Sequence, residues 1–91
     1  MIFLLKLCDL NTDEEGEVIR LGNKGTMRRR LRDIGLIEGT KVTCKLISPC
    51  GNPKAYIIRG SLIAIRNEDA RNIYIKMNWL NGMFFKNKHP I

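Results

Sequence analysis

Histidine is nearly missing from this chain; His89 is its only one. No serine or cysteine therefore has a histidine base fixed by the pattern, and nucleophilic catalysis finds no support. Cysteine is scarce and odd in number. Cys8, Cys44 and Cys50 do not make an even disulfide framework, and none stands in a Cys-x-x-Cys pair. Reduced thiols in a reducing compartment are the simplest account. With His89 they also lack the spacing of a zinc module, so no metal or other cofactor is expected. Long apolar runs are absent. Met1-Ile-Phe-Leu-Leu-Lys-Leu is interrupted by Lys6 and ended by Asp9. That run is too short for a secretory h-region or a bilayer span, and the expected location is cytoplasmic. No phosphate loop is present either. Gly22-Asn-Lys-Gly holds two glycines around a turn, without the Lys-Ser/Thr of a P-loop.

Acidic residues are sparse over most of the chain. Asp9, Asp13, Glu14, Glu15 and Glu17 are five of the nine acids, and the formal net charge is +7. Net charge bears on association rather than on fold. It admits nucleic acid, an anionic membrane surface or an acidic protein as partners, beside a merely solvated basic face. The 91 residues make one small domain, with little room for a buried cleft beside the core. An enzyme is not expected.

The most telling stretch is residues 25–39. Met27, Leu31 and Ile34 fall at i, i+4 and i+7, one face of a short helix. Thr26 is placed to cap its start, and Gly35 to take a left-handed conformation just past its end. Leu36 then returns to the core, and Gly39 turns the chain into a strand. Around this helix the pattern is β. Residues 16–22 form a strand. Residues 39–48 alternate, with Val42, Cys44 and Leu46 on the apolar face. Ser48-Pro-Cys-Gly-Asn-Pro is a hairpin loop, leaving Cys50 open to solvent. Lys54–Arg59 returns, Gly60-Ser61 turns, and Leu62–Arg66 follows. Asn67 caps one helical turn, and Ile73, Ile75 and Met77 alternate in a last strand. Residues 2–8 are read either as a short strand or as a packed strap. The expected fold is all-β with a short inserted helix, a small closed or nearly closed SH3-like β-barrel of about five strands.

Residues 1–77 carry this barrel, and residues 78–91 are an aromatic and basic extension. Trp79, Leu80, Met83, Phe84 and Phe85 crowd into it. Either it folds back on the barrel, or Trp79, Phe84 and Phe85 form a partner or self-association surface. The second candidate surface is the helix. Arg28, Arg29, Arg30 and Arg32 are expected in its first turn, where positive side chains oppose the macrodipole, and Asp33 in the last turn opposes it again. Arg30, beside core-facing Leu31, is expected to be anchored by an acid on the barrel. Arg28, Arg29 and Arg32 are then free to meet an acidic partner, or form only a solvated face. Asp13, Glu14, Glu15 and Glu17 are read as a solvated acidic turn, since their spacing imposes no coordination shell.

The run Arg30-Leu-Arg-Asp-Ile-Gly-Leu-Ile-Glu-Gly-Thr-Lys-Val resembles the ferrous iron transport protein A (FeoA) family. Glu15-Gly-Glu-Val18, Gly51-Asn-Pro, Arg59-Gly60, Ala64-Ile-Arg66 and Ala70-x-x-Ile73-x-Ile75 follow the family order and spacing. The resemblance spans residues 7–77. It implies an SH3-like barrel and a small cytosolic accessory of bacterial ferrous iron uptake. The implied partner is the membrane transporter FeoB, which carries a cytosolic GTP-binding domain, so the protein would be peripheral to the membrane. A monomer or weak homo-oligomer is expected. No catalytic or iron-ligand residue carries over. Arg30, Leu31, Gly35, Gly39 and Gly60 are read as structural. Two other readings are a barrel like the C-terminal domain of iron-dependent repressors, and a stand-alone basic nucleic-acid module. The first normally follows a helix-turn-helix, which this chain lacks. The second lacks aromatics interleaved with its basic residues as a stacking platform, so nucleic acid is not expected.

Overall fold

A computed structural model of the chain describes residues 2–78. Six strands form one antiparallel sheet: β1 (Ile2–Lys6), β2 (Glu15–Leu21), β3 (Lys41–Ile47), β4 (Lys54–Ile58), β5 (Ser61–Ile65) and β6 (Ile73–Asn78). Their order across the sheet is β1-β6-β2-β3-β4-β5. Helix α1 (Gly25–Asp33) is inserted between β2 and β3, and the single turn α2 (Asn67–Ala70) between β5 and β6. Residues 2–6 are thus a paired strand, and they raise the strand count above the expected five. The hydrogen-bonded ring is not closed: the outermost strands β1 and β5 do not pair with each other among the described residues. Two edges therefore remain, against the expectation of edge removal.

The core is filled from every element. Leu7 and Leu10 come from a 3-10 turn after β1, Val18 and Leu21 from β2, and Leu31 from α1; Leu36 follows that helix. Val42, Cys44, Tyr56, Ile58, Ile65, Ile73 and Ile75 line the inner face of the strands. The 3-10 turn is clasped from β4. Lys54 Nζ donates to the carbonyls of Cys8 at 2.6 Å and Leu10 at 3.0 Å. The Tyr56 hydroxyl donates to the Leu7 carbonyl at 3.4 Å. A lysine in this half-buried place keeps its ammonium solvated by backbone oxygens instead of water.

Two bulges reset which side chains face in. Between Val18 and Arg20 the register of β2 against β6 slips. Val18 and Leu21, three apart, are consequently both buried. A second bulge lies between Cys44 and Leu46 on β3. It corrects the strict alternation expected there: Leu46 leaves the core and is 57% exposed. One extra residue inverts the facing of all that follows it.

Helix α1 ends as expected and starts differently. Gly35 has φ +108°. The Gly35 N–H donates to the Arg32 carbonyl and the Leu36 N–H to the Leu31 carbonyl, both at 3.0 Å, which is a Schellman closure. Leu36, fully buried, supplies its hydrophobic contact. Thr26 does not cap the start. The helix begins at Gly25, whose φ of +60° turns the chain in one residue earlier, and the capping position falls to Lys24 without a side-chain bond. Asn67 is likewise not the cap of α2 but its first residue. Its N–H is bonded by Asn52 Oδ1 at 3.0 Å, and its Nδ2 donates to the Gly51 carbonyl at 2.9 Å. The helix turn is thereby tied to the β3–β4 loop. Among the described residues, a buried side-chain oxygen of both Asn23 and Asn67 has no hydrogen-bond partner.

Candidate functional site: the basic face of the inserted helix

Met27, Leu31 and Ile34 all pack on the core, so they fix how α1 is rotated. At about 100° per residue, Arg28, Arg32 and Arg29 then share one side of the helix, and Arg30 lies on the other flank. All four arginines are exposed. Arg29 and Arg32 stand at i and i+3, close enough to act on one partner together.

The anchored arginine is Arg28, not Arg30. Arg28 Nη1 donates to the Leu21 carbonyl at 2.6 Å, binding the helix to the end of β2. The anchor is a backbone carbonyl and not the acid expected. Among the described residues no carboxylate pairs with any arginine of α1; the ion pairs are Lys45–Asp13, Arg66–Glu68 and Lys76–Glu17. Arg28, Arg29 and Arg32 therefore stand on one side of α1 without an ion pair among the described residues. The expected conflict with the helix dipole is largely removed. Because α1 begins at Gly25, Arg30 and Arg32 fall in its last turn, where cations are favoured. Asp33 remains on the unfavourable end.

The loop after the helix is sewn to β2. The Gly39 N–H donates to the Val18 carbonyl and the Val18 N–H to the Thr40 carbonyl, each at 2.8 Å. Thr40 Oγ1 donates to the Gly35 carbonyl at 2.8 Å. Gly39 has φ +93° in this turn. Arg59 adds a fifth charge that the sequence pattern did not flag. It and Gly60 form the two-residue β4–β5 turn, with φ +49° and +86°, as a type I′ hairpin requires. From that turn the Arg59 side chain runs over Gly35 at the helix end. Its only sequence trace was the Arg59-Gly60 turn, which says nothing of where the side chain goes.

Among the described residues, the remaining candidates form no metal cluster: no group of His, Cys, Asp and Glu able to hold a metal occurs there. Asp13 is paired with Lys45 at 3.4 Å and Glu17 with Lys76 at 3.9 Å on the surface. Cys44 is buried, and burial pushes its thiol up from its ordinary value. Cys50 is exposed, its thiol donating to the Asn52 carbonyl at 3.1 Å. His89, Trp79, Phe84 and Phe85 lie outside the described residues. No helix among the described residues is long and apolar enough to cross a membrane.

Residues 5–77 match the model of the FeoA domain. The chain belongs to the FeoA family. It is 26% identical over 73 residues to the Fe(2+) transport protein A/Fe(2+) transporter FeoB fusion protein of Porphyromonas gingivalis. The match covers 80% of this chain and only 9% of that protein's length. The solution structure of FeoA from Chlorobium tepidum superposes with a TM-score of 0.76 at 30% identity, over 80% of this chain and 70% of that one. FeoA of Stenotrophomonas maltophilia, solved with zinc and described as a procaryotic SH3 domain protein, gives 0.70 at 21% identity, over 78% and 88%. At that identity it speaks to the fold alone, and the six-stranded sheet with its short helix is of this SH3-like kind. The Porphyromonas gingivalis relative is itself named for Fe(2+) transport.

Proposed function

We propose that this FeoA protein is a cytoplasmic, non-enzymatic accessory of ferrous iron uptake, acting by contact with the cytosolic region of FeoB. The observation that carries the reading is the Porphyromonas gingivalis relative, in which an FeoA part and an FeoB part are one polypeptide. Covalent joining raises effective concentration, and selection for it makes sense when two modules work in contact. The surface on this chain best suited to that contact is the side of α1 bearing Arg29 and Arg32. These charges are exposed and free of carboxylate partners among the described residues. An acidic patch on the transporter is the matching partner, and rim charges of this sort govern encounter and orientation. Binding there would place the protein at the membrane through its partner.

The test is co-purification of full-length protein with FeoB from solubilised membranes, beside a nucleic-acid shift assay at physiological salt. Retention of FeoB without a nucleic-acid shift is expected. A shift with no FeoB retained would replace the reading with that of a basic nucleic-acid module.

A further inference from the structure

The outer face of β1, β6, β2 and β3 carries a second basic surface. Two rows of opposed residues cross it, and directly opposed residues share a face. One row is Lys6, Tyr74 and Arg20. The next is Leu4, Lys76, Glu17 and Lys41. Lys6, Arg20 and Lys41 are exposed, and Lys76 Nζ stands 3.9 Å from Glu17. The two rows thus set four cations against one acid, and Glu15 bounds the face one step along β2. Among the cations Leu4 is 74% exposed. Val18 and Ile75, on the other side of β2 and β6, are buried in the core with Leu31 of α1. This surface is therefore distinct from the arginines of α1.

Its width and make-up select among anionic partners. From β1 to β3 the face spans three strand spacings, roughly 15 Å, too wide for one small anion to meet Lys6 and Lys41 together. A polynucleotide or the headgroups of a membrane leaflet would meet all four cations. The aromatic ring that a base would need is already engaged. Arg20 Cζ lies 4.4 Å from the centre of the Tyr74 ring. On Gly22, a Cβ would come within 3.2 Å of Tyr74 Cε2. The ring is bracketed by these neighbours rather than open to a stacking base. Leu4 gains nothing against a phosphate backbone. On lipid it reaches below the headgroups while the lysines beside it stay among them. Attachment to a membrane strengthens with buried apolar area and with basic charge near an anionic surface, and this face offers both.

We propose that the outer face of β1–β6–β2–β3 rests on an anionic phospholipid surface, with Lys6, Arg20, Lys41 and Lys76 on the headgroups and Leu4 at the acyl boundary. The contact uses neither Arg29 nor Arg32 of α1, and the inference is independent of any contact with FeoB.

The test is co-sedimentation of the full-length protein with protein-free vesicles of phosphatidylglycerol and phosphatidylcholine, beside vesicles of phosphatidylcholine alone, at physiological salt. Retention on the mixed vesicles only is expected. A lysine near an anionic surface contributes about fivefold in binding, so Lys6→Gln/Lys41→Gln should bind on the order of twenty-fold more weakly. Arg29→Gln/Arg32→Gln removes the same charge from α1 and should bind like wild type. Leu4→Gln leaves the charge unchanged and should lose binding severalfold. Without vesicles the Tm of each variant should stay near the parent's, since Leu4, Lys6 and Lys41 are exposed. Absence of the protein from the mixed vesicles overturns the proposal. So does equal loss in the two double variants, which leaves only net charge at work, or full retention of Lys6→Gln/Lys41→Gln. A labelled single-stranded oligonucleotide forms the last arm. If Lys6→Gln/Lys41→Gln weakens its binding and leaves vesicle binding unchanged, the face serves nucleic acid and the proposal fails.

Discussion

Arg59 occupies the space that a side chain at Gly35 would need. A Cβ built on Gly35 would stand 3.1 Å from Arg59 Cγ and 3.3 Å from its Nε, with Cδ nearer still. Gly35 also carries φ +108°. Two separate penalties therefore meet at one residue: backbone strain and a steric conflict with a side chain from another turn. Gly35→Ala is expected to destabilise by about 1–3 kcal/mol. In an Arg59→Ala background the cost should shrink, because only the backbone part remains. A double-mutant cycle in urea measures this coupling, and strict additivity would deny the contact.

The bulge on β3 separates two leucines that hydropathy alone treats alike. Leu36 is fully buried, while Leu46 is 57% exposed. Leu36→Ala should cost about 2–5 kcal/mol. Leu46→Ala should stay within about 0.5 kcal/mol. Thermal unfolding of the two variants checks the pair. Equal losses would put Leu46 back in the core.

These residues also mark how far the sequence could be read. Met27, Leu31 and Ile34 announced the helix because helical spacing is a local property. Gly35 announced its end because only a left-handed residue lets Leu36 re-enter the core at once. The β3–β4 loop was legible for the same local reason, and the β4–β5 turn to within one residue: Gly60-Ser61 is expected and Arg59-Gly60 is found. The bulges were not. They depend on pairing with a neighbouring strand, and nothing in Val-Thr-Cys-Lys-Leu-Ile tells where an unpaired residue will sit. Capping misled for a similar reason: Thr26 and Asn67 are good local caps, but Gly25 began α1 early and Asn67 was drawn to Gly51. At the candidate face the charges were legible, and their anchoring was not. Arg28 finds the Leu21 carbonyl and Arg59 finds Gly35 only once the chain is folded.

Cys44 and Tyr56 are opposed across β3 and β4, and both are fully buried. Burial is the leading cause that raises both groups above their ordinary values of 9.0 and 10.0. For Cys44, Lys54 opposes this with a smaller lowering effect. Below those values both groups are neutral in either state and stability is unaffected. Above them the unfolded chain ionises first and holds fewer protons than the native protein, so stability falls as pH rises. The urea midpoint should begin to drop near pH 9 and steepen beyond 10. Tyr56→Phe should flatten the steeper part, whatever its effect on stability at neutral pH. A wild-type midpoint constant across that range would contradict the burial of both groups.

The account rests most heavily on α1 as the face that meets FeoB, and a salt titration of binding tests it most directly. Full-length wild type and Arg29→Glu/Arg32→Glu would be titrated with the cytosolic region of FeoB at several ionic strengths. Arg28 is left intact because it ties the helix to Leu21. The double reversal should fold, losing about 0.3–1 kcal/mol at the helix end where Arg32 now favours the dipole. Wild-type affinity should fall with added salt. The reversed protein should associate more slowly at low salt, on the order of tenfold, and lose most of the salt dependence. A folded Arg29→Glu/Arg32→Glu protein that binds with wild-type affinity and an unchanged salt slope would contradict the account.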